Sequence, residues 1–233
     1  FIDEVSGAPD WQLQEGKPLG AYLLYETDGV FFDQSEIDGN TVDYSQVTPQ
    51  LKPGDLRLVD YDGNGLIDGD DQVRQEDAFT PRLQYGITLD MSYNNFDLSV
   101  LFQGSSGGMT TLFNGEFGDI GNYYKYQHDN RWSIDNPSRI HPRLASRGDT
   151  WYTNQYGNNT YNYGYTDYLR LKNIELGYTL PQDLLKGFIS NVRFYANGLN
   201  VLTFTEYDMV DPEVAGRGYP LSKVWNLGLR VNF

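Results

Sequence analysis

Trp225-Asn226-Leu227-Gly228-Leu229-Arg230-Val231-Asn232-Phe233 alternates strictly between apolar and polar or small residues and stops on an aromatic. Successive side chains of a strand point to opposite faces. Trp225, Leu227, Leu229, Val231 and Phe233 therefore share one face, while Asn226, Arg230 and Asn232 share the other. A membrane-spanning barrel strand needs that division, an apolar side for lipid and a polar side for a wet lumen. A strand of a soluble sandwich reads the same way. The terminal Phe233, where soluble domains commonly leave a frayed polar tail, favours the barrel. The alternation predicts that the apolar row faces lipid and that this strand closes a barrel against its first strand.

The same period recurs upstream. Leu83, Tyr85, Ile87, Leu89, Met91 and Tyr93 alternate with Gln84, Gly86, Thr88, Asp90 and Ser92. Asn94-Asn95, both tolerant of the positive φ of tight turns, then leads into Phe96, Leu98, Val100 and Phe102, with Leu101 the one exception to the alternation. Each strand of this hairpin has about the 9 to 11 residues that a tilted transmembrane strand requires. Tyr168 to Leu180 changes phase between Leu171 and Ile174, which a bulge near Lys172-Asn173 reconciles. Val192 to Thr203 and Ser222 to Phe233 are further strands. Ala21 to Phe32 is a weaker one, with Leu23, Leu24, Val30, Phe31 and Phe32 on both faces. Six strands are legible, no convincing helix and no internal repeat. Between the strands, Asp33 to Pro81, Gly104 to Asp167 and Phe204 to Leu221 are far longer than the connections of a compact domain. Short turns on one side and long loops on the other are the asymmetry of outer-membrane barrels.

Composition agrees with this reading. Of 233 residues 39% are hydrophobic, the mean hydropathy is -0.56, and no apolar run approaches the roughly 20 residues of a spanning helix. Barrel strands escape such scans because half their residues are polar, and 19 Tyr, 12 Phe, 4 Trp and 25 Gly supply aromatic girdles and turns. A net charge of -15 argues against a nucleic-acid partner, which needs clustered Lys and Arg. Without cysteine there is neither a disulfide framework nor a thiolate metal site. Phe1-Ile2-Asp3 reads as mid-protein sequence, so the chain is expected to be the C-terminal piece of a longer protein.

One segment carries chemistry. Asp60-Tyr61-Asp62-Gly63-Asn64-Gly65-Leu66-Ile67-Asp68-Gly69-Asp70-Asp71 follows the twelve-residue EF-hand calcium loop. Asp60, Asp62, Asn64 and Asp68 stand at ligand positions, Gly65 at the sharp turn, the Leu66 carbonyl at the backbone ligand position, and Ile67 as the apolar anchor. Asp71 replaces the usual bidentate Glu, and no helices flank the loop. Hard oxygen donors in this number suit a structural Ca2+, and no His or Cys is near for zinc. The alternative is a solvated Asn/Asp/Gly turn.

Several stretches resemble the C-terminal third of SusC/RagA-type TonB-dependent transporters. They are Gly54 to Asp68, Tyr85-Gly86-Ile87, Phe96 to Gly104, Arg131-Trp132, Tyr168 to Ile174, Leu176 to Pro181, Asn197 to Thr205 and the closing strand, in the family's order from about residue 50 to the end. The resemblance implies an all-β fold, the C-terminal strands of an antiparallel transmembrane β-barrel of about 22 strands with a plugged lumen and long extracellular loops. It implies residence in the bacterial outer membrane and import of glycans or peptides, with no enzyme activity. The partners implied are a SusD-like surface lipoprotein, the rest of the barrel and its plug, outer-membrane lipids, and TonB, engaged through an N-terminal part outside this chain. Residues 1–233 would form one portion of that barrel, with 60–71 as a calcium loop on the extracellular side.

The loop from Asp149 to Asp167 crowds Trp151, Tyr152, Tyr156, Tyr161, Tyr163 and Tyr165 among Asn and Gly. That composition stacks on sugar rings or docks a peptide, and equally packs loops together or belts a membrane surface. His128 and His141 have no partner at metal-ligand spacing, and no phosphate loop or nucleophile elbow occurs. The competing function is a soluble extracellular carbohydrate-binding or scaffold β-domain stabilised by calcium.

Overall fold

The computed structural model describes residues 7–111, 125–144, 158–185, 187–206, 211–214 and 219–233. The chain divides into two compact units, Phe1–Thr80 with Met109–Gly164, and Pro81–Gly108 with Tyr165–Phe233.

The first unit is built from short pieces. β1 (Ala21–Tyr25) pairs with β4 (Gln72–Ala78), and β2 (Thr27–Val30) pairs with β3 (Leu56–Leu58), both antiparallel. The strand anticipated over 21–32 is thus two strands with different partners. Leu24, Val30 and Phe31 are all buried, which is why their apolar residues kept no single period. Two helices, α1 (Gln34–Asp38) and α2 (Lys125–Asn130), are a correction to the expectation of none. Each is too short for a 3.6-residue period to show. What starts α1 is its cap: the Asp33 carboxylate accepts from the Glu36 amide at 3.0 Å. Val30, Phe31, Tyr44, Val47, Leu56, Leu58 and Ile67 form the core. The Tyr44 hydroxyl lies within it, bonded to the backbone of Leu58, and burial pushes its pKa up to about 12.

The second unit is one antiparallel sheet. β5 (Leu83–Tyr93) and β6 (Phe96–Ser106) form the expected hairpin, joined by Asn94-Asn95, of which Asn94 alone takes a positive φ, 52°. The short β7 (Met109–Thr111) and β8 (Tyr163–Tyr165), which fall in the first unit but for Tyr165, pair with each other as a separate two-stranded ladder. β9 (Tyr168–Thr179), β10 (Asn191–Thr205) and β11 (Val224–Asn232) complete the sheet, ordered β11-β10-β9-β6-β5. The bulge expected near Lys172-Asn173 is there. Leu101 pairs with Asn173 and Phe102 with Leu171, leaving Lys172 as the extra residue. On the other flank Asn200 and Val201 sit opposite the same break.

Register makes the two faces distinct. Tyr93, Phe96, Tyr178, Phe194 and Leu229 are successive cross-strand neighbours, as are Met91, Leu98, Leu176, Ala196 and Leu227. The rows beyond continue through Leu89, Val100, Ile174 and Trp225, then Ile87, Phe102, Leu171 and Leu202. One face is therefore apolar across all five strands, with aromatic residues gathered toward the strand ends. Leu227 on this face is 89% exposed and Ile87 55%, and although Val100 and Val192 are buried by their neighbours, most of the face is left open among the described residues. The opposite face carries Thr88, Asp90, Asp97, Ser99, Gln103, Arg170, Glu175, Arg193, Asn197, Asn226 and Arg230, interrupted by the apolar row of Leu101, Leu199 and Val224. Among the described residues neither β5 nor β11 has a second partner. The Asn94-Asn95 turn and the connection 180–190 lie at one end of the sheet, and the long connections 107–167 and 206–223 leave from the other.

Candidate functional site

The acidic loop joins β3 to β4 in the first unit. Gly63 and Gly65 have φ of 72° and 85°, a conformation that glycine adopts without strain. The Asp60 carboxylate accepts from the amides of Gly63 and Gly65, both at 2.9 Å. Asp71 accepts from Tyr61 at 2.6 Å and Asp68 at 2.9 Å, joining the two ends of the loop. Ile67, fully buried in the core, anchors it, and Asp43 clamps it from outside through bonds of 2.8 Å to the Gly65 carbonyl and the Ile67 amide.

Asp60, Asp62 and Asp71 each bring a carboxylate oxygen within 4.8 Å of the others. Burial holds the Asp71 carboxyl above the ordinary carboxylate range, an electrostatic cost that a cation would offset. Asp68, the other expected carboxylate ligand, is not in this group. Asp68 caps the short turn Gly69–Asp71, and the Asn64 side chain bonds Asp62 and the Leu66 amide. Sequence reading missed the outer support. Trp11 Nε1 donates to the Asp70 carbonyl at 2.7 Å and Gln12 Nε2 to the Gly69 carbonyl at 2.6 Å, while the Trp11 ring packs 5.2 Å from that of Tyr61. A separation of nearly 60 residues leaves no local signal for these contacts.

A second constellation lies on the polar face of the sheet. Arg193 bonds both Asp97 and Glu175, Asn197 reaches Glu175 at 3.3 Å, and Asn226 reaches Asn197 at 2.9 Å. Four strands are thereby laced through side chains. Gly177 makes room for it, since a Cβ there would fall on the Arg193 guanidinium and the Asp97 carboxylate.

An apolar sheet face backed by a charged, hydrogen-bonded one, with long connections at one end, has its counterpart among known proteins. The chain is 32% identical over 241 residues to TonB-dependent receptor P3 of Formosa agariphila, and 27% identical over 251 residues to TonB-dependent receptor P26 of the same organism. The chain is a relative of the TonB-dependent receptors. These alignments take in 95% and 100% of it but only 23% and 24% of the receptors, so it spans about a quarter of their length. A chain of the RagAB peptide importer in its open-open state superposes with a TM-score of 0.62 at 23% identity, over 91% of this chain and 22% of that one. A second RagAB structure gives 0.61 over the same share of this chain. That likeness shows the fold, a portion of a barrel of the RagA type. No protein-family profile matches the chain.

The resemblance drawn from short motifs is thus borne out over the whole length. Of the aromatic residues singled out beside the loop, Trp151, Tyr152 and Tyr156 lie outside the described residues. Tyr161 packs against the core, its hydroxyl 2.9 Å from His141 Nδ1. Tyr163 packs on Tyr22 with ring centroids 4.6 Å apart. Tyr165 is exposed and lines an open cavity of about 750 Å³ with Tyr85, Tyr168, Phe204 and Glu206.

Proposed function

We propose that this chain forms membrane-spanning strands of a TonB-dependent outer-membrane importer, a protein that moves a nutrient and performs no catalysis. The observation that carries the reading is the apolar face, continuous over five strands and largely exposed among the described residues. In water it would drive aggregation; in a bilayer it meets lipid while the polar face lines the lumen. Both sheet edges need further strands, because a barrel leaves no edge open. β5 is about 36 Å long at 3.3 Å per residue, and tilted by about 45° it crosses the apolar band of about 25 Å.

On this reading the end bearing the long connections is extracellular and receives a SusD-like lipoprotein lid, and the cargo is a peptide or a glycan. The peptide importer RagAB among the structural relatives supports a peptide; the Tyr- and Asn-rich loop suits either. Asp60, Asp62 and Asp71, helped by Asn64, Asp68 and the Leu66 carbonyl, would hold one calcium ion with a structural role, fixing the loop ahead of β4 and β5.

The test is the full-length protein, tagged and expressed in outer membranes. Cold and boiled samples on a detergent gel are expected to differ in mobility, as intact barrels do, and mild detergent is expected to retain a surface lipoprotein. A protein that stays soluble and monodisperse without detergent would instead support the soluble calcium-stabilised domain.

A further inference from the structure

Arg170 is one of the largest fully buried side chains of the chain, 1% exposed. It projects from β9 on the polar face beside Gln103 of β6 and Thr203 of β10. A buried guanidinium demands partners, and these come from the connection between β10 and β11. Its Nη1 reaches Glu213 at 2.8 Å and its Nη2 reaches Asp211 at 2.6 Å, while Nε bonds the Thr203 hydroxyl at 3.0 Å. Lys172, the bulged residue, places its ammonium 2.8 Å from both Glu213 oxygens. Asp211 also ties the two limbs of the connection together, accepting from the Glu213 amide at 3.0 Å and from the Leu221 amide at 3.1 Å. Pro212 between the two acids is buried.

Two features separate this from an ordinary loop contact. The anchoring bases stand on β9, so Asp211–Val214 is held against a strand that is neither of the two it connects. Arg170 lies two residues inside the ladder end marked by the Tyr168–Thr205 pair, about 7 Å down the strand. In addition, among the described residues no backbone hydrogen bond joins Asp211–Val214 to the sheet, and the attachment runs through side chains.

We propose that Asp211–Val214 is an inward-folded strap, latched to the polar face by Arg170 and Lys172 and released as one unit. On the barrel reading, on which this rests, that face is the lumen wall, and release uncovers it at the loop end. Neutralising the acids leaves Arg170 charged and buried without a counterion while the strap stays down, so departure of the strap and hydration of Arg170 become the favourable course.

The test uses the full-length protein in detergent, with Val214→Cys as reporter in a chain that has no cysteine, compared with and without D211N/E213Q. A water-soluble maleimide is expected to label the reporter at least tenfold faster in the D211N/E213Q background. The Glu213, Val214 and Leu221 amides should lose deuterium protection together, while the amides of β9 and β10 keep theirs. Unchanged labelling, or Leu221 exchanging independently of Glu213 and Val214, overturns the proposal. So does loss of the heat-sensitive gel mobility in the variant, which would make the quartet barrel framework. Absence of that mobility in the unsubstituted protein counts against the barrel reading, and the labelling comparison still judges the strap.

Discussion

Arginine at Leu89 separates a lipid-facing sheet from a soluble one. Leu89 lies near the centre of β5, 48% exposed on the apolar face, with Tyr85 and Tyr93 four residues away on either side. Four residues span about 13 Å along a strand and about 10 Å along the membrane normal at a 40° tilt. Leu89 therefore sits near the midplane, where an arginine costs about 2–4 kcal/mol, or roughly 30- to 700-fold in the folding equilibrium. Leu229 lies in the row of Tyr93, Phe96, Tyr178 and Phe194 at the short-turn end, so Leu229→Arg should cost only about 0–1 kcal/mol. Thr88→Arg, on the polar face, should change stability by about 0.5 kcal/mol or less. Folding of the full-length protein into lipid vesicles over a urea series, scored by the unboiled gel band, measures all three. If Thr88→Arg costs as much as Leu89→Arg, or Leu89→Arg folds as the unsubstituted protein does, the assignment of faces is wrong.

Gly65→Ala forces an L residue to a φ of 85° at a cost of roughly 1–2 kcal/mol. The calcium concentration at half-response should rise about tenfold, read by terbium displacement; an unchanged midpoint contradicts the loop geometry. Gly177→Ala drives a methyl onto the Arg193–Asp97 pair and should destabilise the barrel by about 1–3 kcal/mol. Gly86→Ala, whose nearest neighbour is an ordinary 3.6 Å away, should be near neutral in the same urea assay. Burial holds the His141 imidazole below its ordinary pKa, so the folded chain takes up this proton less readily than the unfolded one. The resulting stability is full above about pH 6.5 and is lost as pH falls below it toward the depressed value. Deuterium exchange over 125–144, corrected for intrinsic rate, should show that loss, and His141→Asn should flatten it.

Which parts of the fold were legible follows from how each part is specified. β5, β6, β10 and β11 leave most of their apolar side exposed among the described residues, so a period of two, broken only locally, is the greater part of their design and the sequence displays it. The bulge at Lys172 was legible for the same reason, as a break in that period. β3, β4, β7 and β8 were not. Gln72–Ala78 carries polar residues at most positions, and its strand character comes from pairing with β1, a partner about 50 residues away. The short helices were hidden as well, because a single capped turn has no period to read.

The sites divide along the same line. The acidic loop could be read because its ligand positions lie within twelve consecutive residues, whereas its supports Trp11, Gln12 and Asp43 are recruited by the fold. The Arg170 latch shows how a local irregularity decides a distant contact. A one-residue slip moves every side chain of a strand to the other face. Had Lys172 paired in regular register opposite Phe102 instead of bulging, the stretch of β9 before it would have turned Leu169 and Leu171 toward the polar face and Arg170 toward the apolar one. The bulge keeps the apolar rows unbroken and sets two cations side by side on the polar face, and these then require acids. The next connection supplies them in Asp211 and Glu213, about 40 residues on. The charge pattern of β9 alone announces the need for a partner; only the register says which face that partner must come from.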